Sequence, residues 1–290
     1  LVPNMEFTLN LFVDSVPVKN AEVDIFTKRP HLDDVKFLVG YNQKNASPKL
    51  FSNMMQTNSD FMIWIGGHIN ITKPLSFDKL FESYVHVRKQ NYLNDFMISM
   101  PQIATWSSSD CNFINQPDSW EKKQSDYSIF KMFWPNYVKK TYNYTFYDYG
   151  TYQRYTYNDL DVFLLDAQTF QSKDKLYGDN QIDRMFKEIN NTGATFTIIA
   201  SPNPFTFDTQ GSFLHFEDEF NYFIKRLNDV NNDGIILLSG GNISGHPKLN
   251  QYNLEKNRLG VQSFIYEFNT PSLSNNIYSS ISIKGRENNR

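Results

Sequence analysis

Apolar positions recur with period two at the start of the chain. Phe7, Leu9, Leu11 and Val13 alternate with Thr8, Asn10 and Phe12, and Val23 and Ile25 resume the period after a polar break. That spacing predicts strands, and so an all-β lead-in over residues 1–34. From Val35 strands and helices interleave, which predicts an α/β layered body over residues 35–290. Phe61-Met62-Ile63-Trp64-Ile65 is an unbroken apolar run ending in Gly66-Gly67, the pattern of a central strand buried on both faces with a loop facing a site at its end. Phe77, Leu80, Phe81, Tyr84 and Val85 form a helical stripe behind Ser76 as N-cap, with Asp78 in the first turn. A second helix runs from Ser125 to Trp134 and stops at Pro135. Ile182, Met185, Phe186 and Ile189 mark a third, entered near Asp179, and Phe216, Phe220, Phe223, Ile224 and Leu227 a fourth. Strands are expected over Ala194 to Ala200 and Gly234 to Leu238, with a hairpin over Tyr152 to Asp166 turning near Asn158-Asp159. There is no internal repeat and no Gly/Pro-rich linker, so one main domain with a β lead-in is the economical reading.

Composition narrows the chemistry. With 290 residues, 40% hydrophobic, the chain is long enough for a large core, and its single cysteine, Cys111, excludes both a disulfide framework and a Cys-rich zinc module. The fold must rest on packing, for which 25 Phe, 17 Tyr and 4 Trp supply large rings. Basic residues (28) nearly balance acidic ones (31), so no cationic field invites nucleic acid. No apolar run approaches the roughly 20 residues of a membrane span, which makes the expectation a soluble chain. The opening Leu1-Val2-Pro3 has neither an initiator Met nor a charged and apolar leader, as in a processed product or a segment of a longer protein.

The motifs are sparse. His31, His68, His86, His215 and His246 show no ligand-pair spacing, although His68 and His246 fall in Gly-rich loops after apolar strands. His86 and His215 read as surface or structural residues. Gly66-Gly67 and Gly240-Gly241 do not continue into a phosphate-cradling pattern. Ser107-Ser108-Ser109-Asp110 lacks a nucleophile elbow and reads as a polar loop in which Asp110 caps or turns the chain, with Cys111 beside it as a buried small hydrophobe. Sequons at Asn45, Asn70, Asn143, Asn190 and Asn242 are what an Asn-rich chain produces by chance.

The order of segments resembles the alkaline phosphatase D (PhoD-like) metallophosphatase family over nearly all of Val35 to Arg290. Asp60-Phe61-Met62-Ile63-Trp64-Ile65-Gly66 is similar to the strand leading into the family's Gly-Asp-Asn-x-Tyr, and Ile103-Ala104-Thr105-Trp106 to the strand before Asp-Asp-His-Asp-Tyr-Gly. Phe130-Lys131-Met132-Phe133-Trp134 resembles its aromatic helix, Asp161-Val162-Phe163-Leu164-Leu165-Asp166 its Leu-Asp strand, and Leu176-Tyr177-Gly178-Asp179-Asn180-Gln181 its Leu-Gly-Glu-Glu-Gln. Gly234-Ile235-Ile236-Leu237-Leu238-Ser239-Gly240 resembles the strand before Asp-Arg-His. The resemblance implies a β-sandwich flanked by helices and a metal centre at the strand ends.

The positions that should hold the metals depart from the family pattern. Gly-Ser-Cys becomes Gly40-Tyr41-Asn42; the Asp, Asn and Tyr of Gly-Asp-Asn-x-Tyr become Gly67, His68 and Asn70. Asp-Asp-His-Asp becomes Ser107-Ser108-Ser109-Asp110, Gly-Asp-Arg-His becomes Gly240-Gly241-Asn242-Ile243, and Leu-Asp-x-Arg ends in Gln168. Gly and Ile supply no ligand, so no metal cofactor is expected. The resulting expectation is a catalytically inactive homologue, a binding or structural subunit with a protein partner, set at the cell surface, outside the cell or in the periplasm by family analogy. The alternative is a diverged phosphomonoesterase or phosphodiesterase with a relocated site at His68, Asp110, Asp166 and His246. A third reading is a small-ligand binder in the vacated cavity, which a filling Tyr41 or Asn70 would remove.

Overall fold

The computed structural model describes residues 5–26, 34–112, 120–135, 150–157, 159–230, 234–242, 246–256 and 262–284. These divide into two compact units, one formed by the described residues within Leu1–Val35 and Ser282–Arg290, the other by those within Lys36–Ile281.

In the first unit β1 (Glu6–Val13) and β2 (Val16–Phe26) form an antiparallel hairpin. The turn works because Asp14 and Ser15 both take positive φ, 49° and 65°, the twist that matches paired strands. Leu9, Leu11 and Val13 are each more than half exposed, so the alternation marks strands whose apolar side is not buried in this structure.

The second unit has two sheets. The smaller has the order β12-β3-β4-β5, with β3 (Asp34–Gly40), β4 (Phe61–Ile65) and β5 (Gln102–Thr105) parallel and β12 (Ser279–Lys284) at its edge. The larger has the order β10-β11-β9-β8-β7-β6. In it β7 (Leu160–Leu164), β8 (Phe196–Ser201), β9 (Ile235–Asn242) and β11 (Gln262–Pro271) run parallel, while β6 (Gln153–Tyr157) and β10 (Lys248–Lys256) are antiparallel edges.

Side-chain alternation sorts these strands between two cores. Met62, Trp64 and Ala104 face α1 (Pro48–Met55), α2 (Phe77–Arg88), α3 (Asn91–Ser99) and α4 (Trp120–Phe133). Phe163, Ile199 and Leu237 face α5 (Asp179–Asn190) and α6 (Glu217–Asp229). The intervening residues Phe37, Phe61, Ile63, Ile65, Val162, Leu164, Ile198 and Ala200 are also buried, and Phe61 of β4 packs at 5.3 Å on Tyr157 of β6. The body is therefore a sandwich of two sheets with helices outside, as expected.

Ser76 caps α2 through the Lys79 amide, but only Leu80 and Tyr84 of the stripe are buried, with Phe77 and Phe81 exposed. α4 begins at Trp120, earlier than Ser125, and the short helices α1 and α3 have no counterpart in the periodicity reading. The hairpin β6–β7 turns where expected, although Asn158 lies outside the described residues. Among the described residues no helix is long and apolar enough to cross a membrane.

Candidate functional site

The parallel strands of both sheets end on one rim. There Tyr41 after β3 bridges to Ser272 after β11, and Thr105 Oγ1 at the end of β5 donates to the Leu165 carbonyl after β7 (2.9 Å). The carboxyl ends of parallel strands are where open α/β sheets place ligands, so this rim is the candidate site.

Asp110 is its centre. β5 runs into a single 3-10 turn, Ser108–Asp110, which returns the carboxylate beneath the loop that follows β4. Oδ2 accepts from the amides of Gly67 (2.7 Å) and Ser107 (2.9 Å) and from Ser107 Oγ (3.0 Å). Oδ1 accepts from the amides of His68 (2.6 Å) and Ile69 (3.2 Å). Five donors converge on one carboxylate with 1% exposure, so Asp110 is an internal cap that binds two loops together. Ser107 Oγ also contacts Ser109 Oγ (3.0 Å) and accepts from the Gly67 amide (2.9 Å). Ser108 forms the exposed first residue of the turn.

His68 points the other way, into the helical side. Its ring lies 4.6 Å from Trp134, 5.8 Å from Phe130 and 6.2 Å from Trp64, and Nε2 meets the Thr105 carbonyl at 2.9 Å. Burial pushes its pKa below the ordinary imidazole value against a smaller upward pull from Asp110.

The space a ligand set would need is filled by main chain and by a ring. Asn42 donates its amide to the Gly66 carbonyl (2.9 Å) and accepts from Asn70 Nδ2 at its Oδ1 (3.1 Å). A Cβ placed on Gly67 would lie 2.3 Å from Asn42 Cα, and Gly67 has φ +76°, so this position excludes the family's aspartate on both counts. Across the rim, a Cβ on Gly240 would lie 2.6 Å from Tyr41 Cδ2, because the Tyr41 ring packs against that glycine. Burial, reinforced by Asp110, pushes the Tyr41 phenol up. Gly241 turns with φ +74° against Pro204, 3.0 Å from where its Cβ would be. Asn242 ends β9, paired with Pro271, and Ile243 lies outside the described residues.

Among the described residues the four candidates for a relocated site form no ligand group, although the His68 amide donates to Asp110. Asp166 accepts from the amides of Thr151, Gln168 and Thr169 (2.7, 2.8 and 2.9 Å) and from Thr169 Oγ1 (2.6 Å), the structural role open to it in the sequence. His246 is exposed just before β10. His215 is exposed beside Asp208, His86 is exposed on α2, and His31 lies outside the described residues. Cys111 is buried.

Glu267 was not singled out in the sequence. It is 1% exposed and accepts from the amides of Phe205 (2.9 Å) and Thr206 (2.6 Å), from Thr206 Oγ1, and from Ser239 Oγ at the end of β9. Its signal is a carboxylate in the inward phase of β11, between buried Ile265 and Asn269. Glu219 does the same for Leu176, Tyr177 and Gly178, its pKa raised by burial and lowered in part by those amides. Asp110, Asp166, Glu219 and Glu267 are thus tied to backbone amides, whereas the buried Asp161 is held by Arg154 and by the hydroxyls of Thr156 and Thr192.

That pattern does not fit a metal. Among the described residues no three His, Cys, Asp or Glu side chains come together as a possible ligand group, and the carboxylate nearest the centre has both oxygens committed to N–H and O–H donors.

No family model matches the chain, and no curated protein matches it. A solved structure of PhoD matches with a TM-score of 0.73 at 13% identity, covering 94% of this chain and 63% of that one. At that identity the likeness concerns the fold, and the two-sheet body described above is PhoD-like.

Proposed function

We propose that this chain is a catalytically inactive relative of PhoD-like phosphatases that serves as a binding or structural subunit. The single observation that supports it most is the packing of the Asn42 main chain against Gly67, 2.3 Å from where a side chain would begin, which leaves no room for a bridging carboxylate at the centre. Two further contacts agree with it. Asp110 has its oxygens engaged by five donors, and the Tyr41 ring fills the rim against Gly240. The same ring, with Asn70 held on Asn42, disfavours a small ligand in the vacated centre. The relocated-site alternative is not favoured, because Asp110 and Asp166 hold backbone and His68 is caged.

In this reading the chain acts through its surface, on a protein partner, in an extracellular, cell-surface or periplasmic setting. Turnover of p-nitrophenyl phosphate and bis(p-nitrophenyl) phosphate by the purified protein, with and without added divalent metals, tests it. No rate above background is expected, and a metal-dependent rate would overturn the reading. Cross-linking in the source tests the subunit role, which fails if the chain is recovered only as a free monomer.

A further inference from the structure

We propose that His68 is an acid-operated latch: uptake of a proton by its ring expels the imidazole from its cage and releases the Gly66–Asn70 loop that closes the rim. The latch rests on the reading that His68 is caged and takes no part in a relocated phosphatase site.

The geometry carries it. A carbonyl can only accept, so the 2.9 Å contact to Thr105 requires the proton on Nε2 and leaves a lone pair on Nδ1. Among the described residues the buried Nδ1 has no hydrogen-bond partner, and neither has the buried Nε1 of Trp134, whose ring centre is 4.6 Å away. A second proton would therefore sit on a nitrogen with no acceptor, among three aromatic rings, in a side chain with 2% exposure. Two charged groups face the ring. Asp110, from the turn after β5, attracts a positive imidazole, but its oxygens are held by Gly67, His68, Ile69 and Ser107. Arg88, from α2, lies over the Trp134 ring at 4.3 Å and repels it. The neutral phenol of Tyr84, also from α2, adds no charge, and among the described residues β4 contributes Trp64, and α4 and the residue after it contribute Phe130 and Trp134, to the cage. Burial outweighs the attraction, and the ring binds its proton less readily inside than in water.

The sign follows from linkage. A group whose folded pKa is depressed holds its stabilisation above the unfolded value, about 6.5 for histidine, and loses it as pH falls. Each unit below that value shifts the closed-to-open balance about tenfold toward open, until the folded value is reached. His68 is itself one of the loop residues whose amides Asp110 holds, so expelling the ring pulls directly on those bonds.

The test is amide protection followed by NMR from pH 7.5 to 5 in the wild-type chain and in His68→Gln. Corrected for intrinsic exchange, protection at Ile69 should fall as pH drops below about 6.5 in the wild type, by about tenfold per unit until the folded value is reached. It should stay flat in His68→Gln, and Ile63 in β4 should hold its protection in both. Equal pH dependence in the two proteins would overturn the latch, as would parallel loss at Ile63, which marks global unfolding. If the variant does not fold, the wild-type ring resonance decides. The latch requires it to titrate below the ordinary value in step with the loss at Ile69, and titration near 6.5 with constant loop protection would refute it.

Discussion

Replacing Asp110 with Asn tests whether that carboxylate is a cap or a ligand in reserve. In its better orientation the amide oxygen of Asp110→Asn keeps the Gly67 and Ser107 donors, and its NH2 group faces the amides of His68 and Ile69, at the positions now 2.6 and 3.2 Å from Oδ1. The buried amide of His68 and the part-buried amide of Ile69 then lose their acceptor and face another donor. Each such loss costs about 1–3 kcal/mol, so the expected destabilisation is about 2–6 kcal/mol. No discount for solvent screening applies, because Asp110 is 1% exposed. Urea unfolding is the assay: the midpoint should fall with the slope unchanged, as for a local loss within a two-state transition. A carboxylate held unpaired for a metal behaves oppositely, since neutralising it relieves strain at a functional site and raises stability. A loss under about 1 kcal/mol, or any gain, would refute the cap.

Other consequences follow from the same geometry. Gly67→Asp, which restores the family's acid, should destabilise the chain by at least about 2 kcal/mol and confer no metal-dependent phosphatase rate, because its Cβ meets Asn42 Cα and the residue must hold φ +76°; thermal melting and aryl-phosphate assays check both. Glu267→Gln should cost about 1–3 kcal/mol by leaving at least one of the Phe205 and Thr206 amides without an acceptor. Hydrogen exchange should place the loosening at residues 203–206, and an unchanged urea midpoint would contradict it. Ser76→Ala should cost about 1 kcal/mol through loss of the cap on the Lys79 amide, read from the same urea midpoint.

How much of this was legible in the sequence depended on the range of the contacts. The run Phe61–Ile65 and the stripes of α5 and α6 could be read because each is set by local periodicity, and β4 is indeed buried at every position. α1 and α3, of eight and nine residues, carry too few turns for periodicity to distinguish them from loops. At the rim, parallel strands in register deliver their following loops to one end, where Asn42 meets Gly66 and Asp110 holds Gly67 and His68. What filled the rim was not legible. Tyr41 meets Gly240 across about two hundred residues of chain, and the cage of His68 draws Phe130 and Trp134 from a helix sixty residues away. The pair Phe130 and Trp134, four apart at the end of α4 and just beyond it, was a local sign of that cage.

The central claim is that the rim is closed by main chain and by a side-chain ring where the fold's phosphatase relatives are expected to hold metal. Its most direct measurement is the metal content of the purified full chain after incubation with manganese, iron, zinc and calcium and removal of free ions, read by elemental analysis beside the aryl-phosphate rate. Far less than one ion per chain and no rate above background are expected. One or more ions per chain, with a rate abolished by chelation, would contradict it.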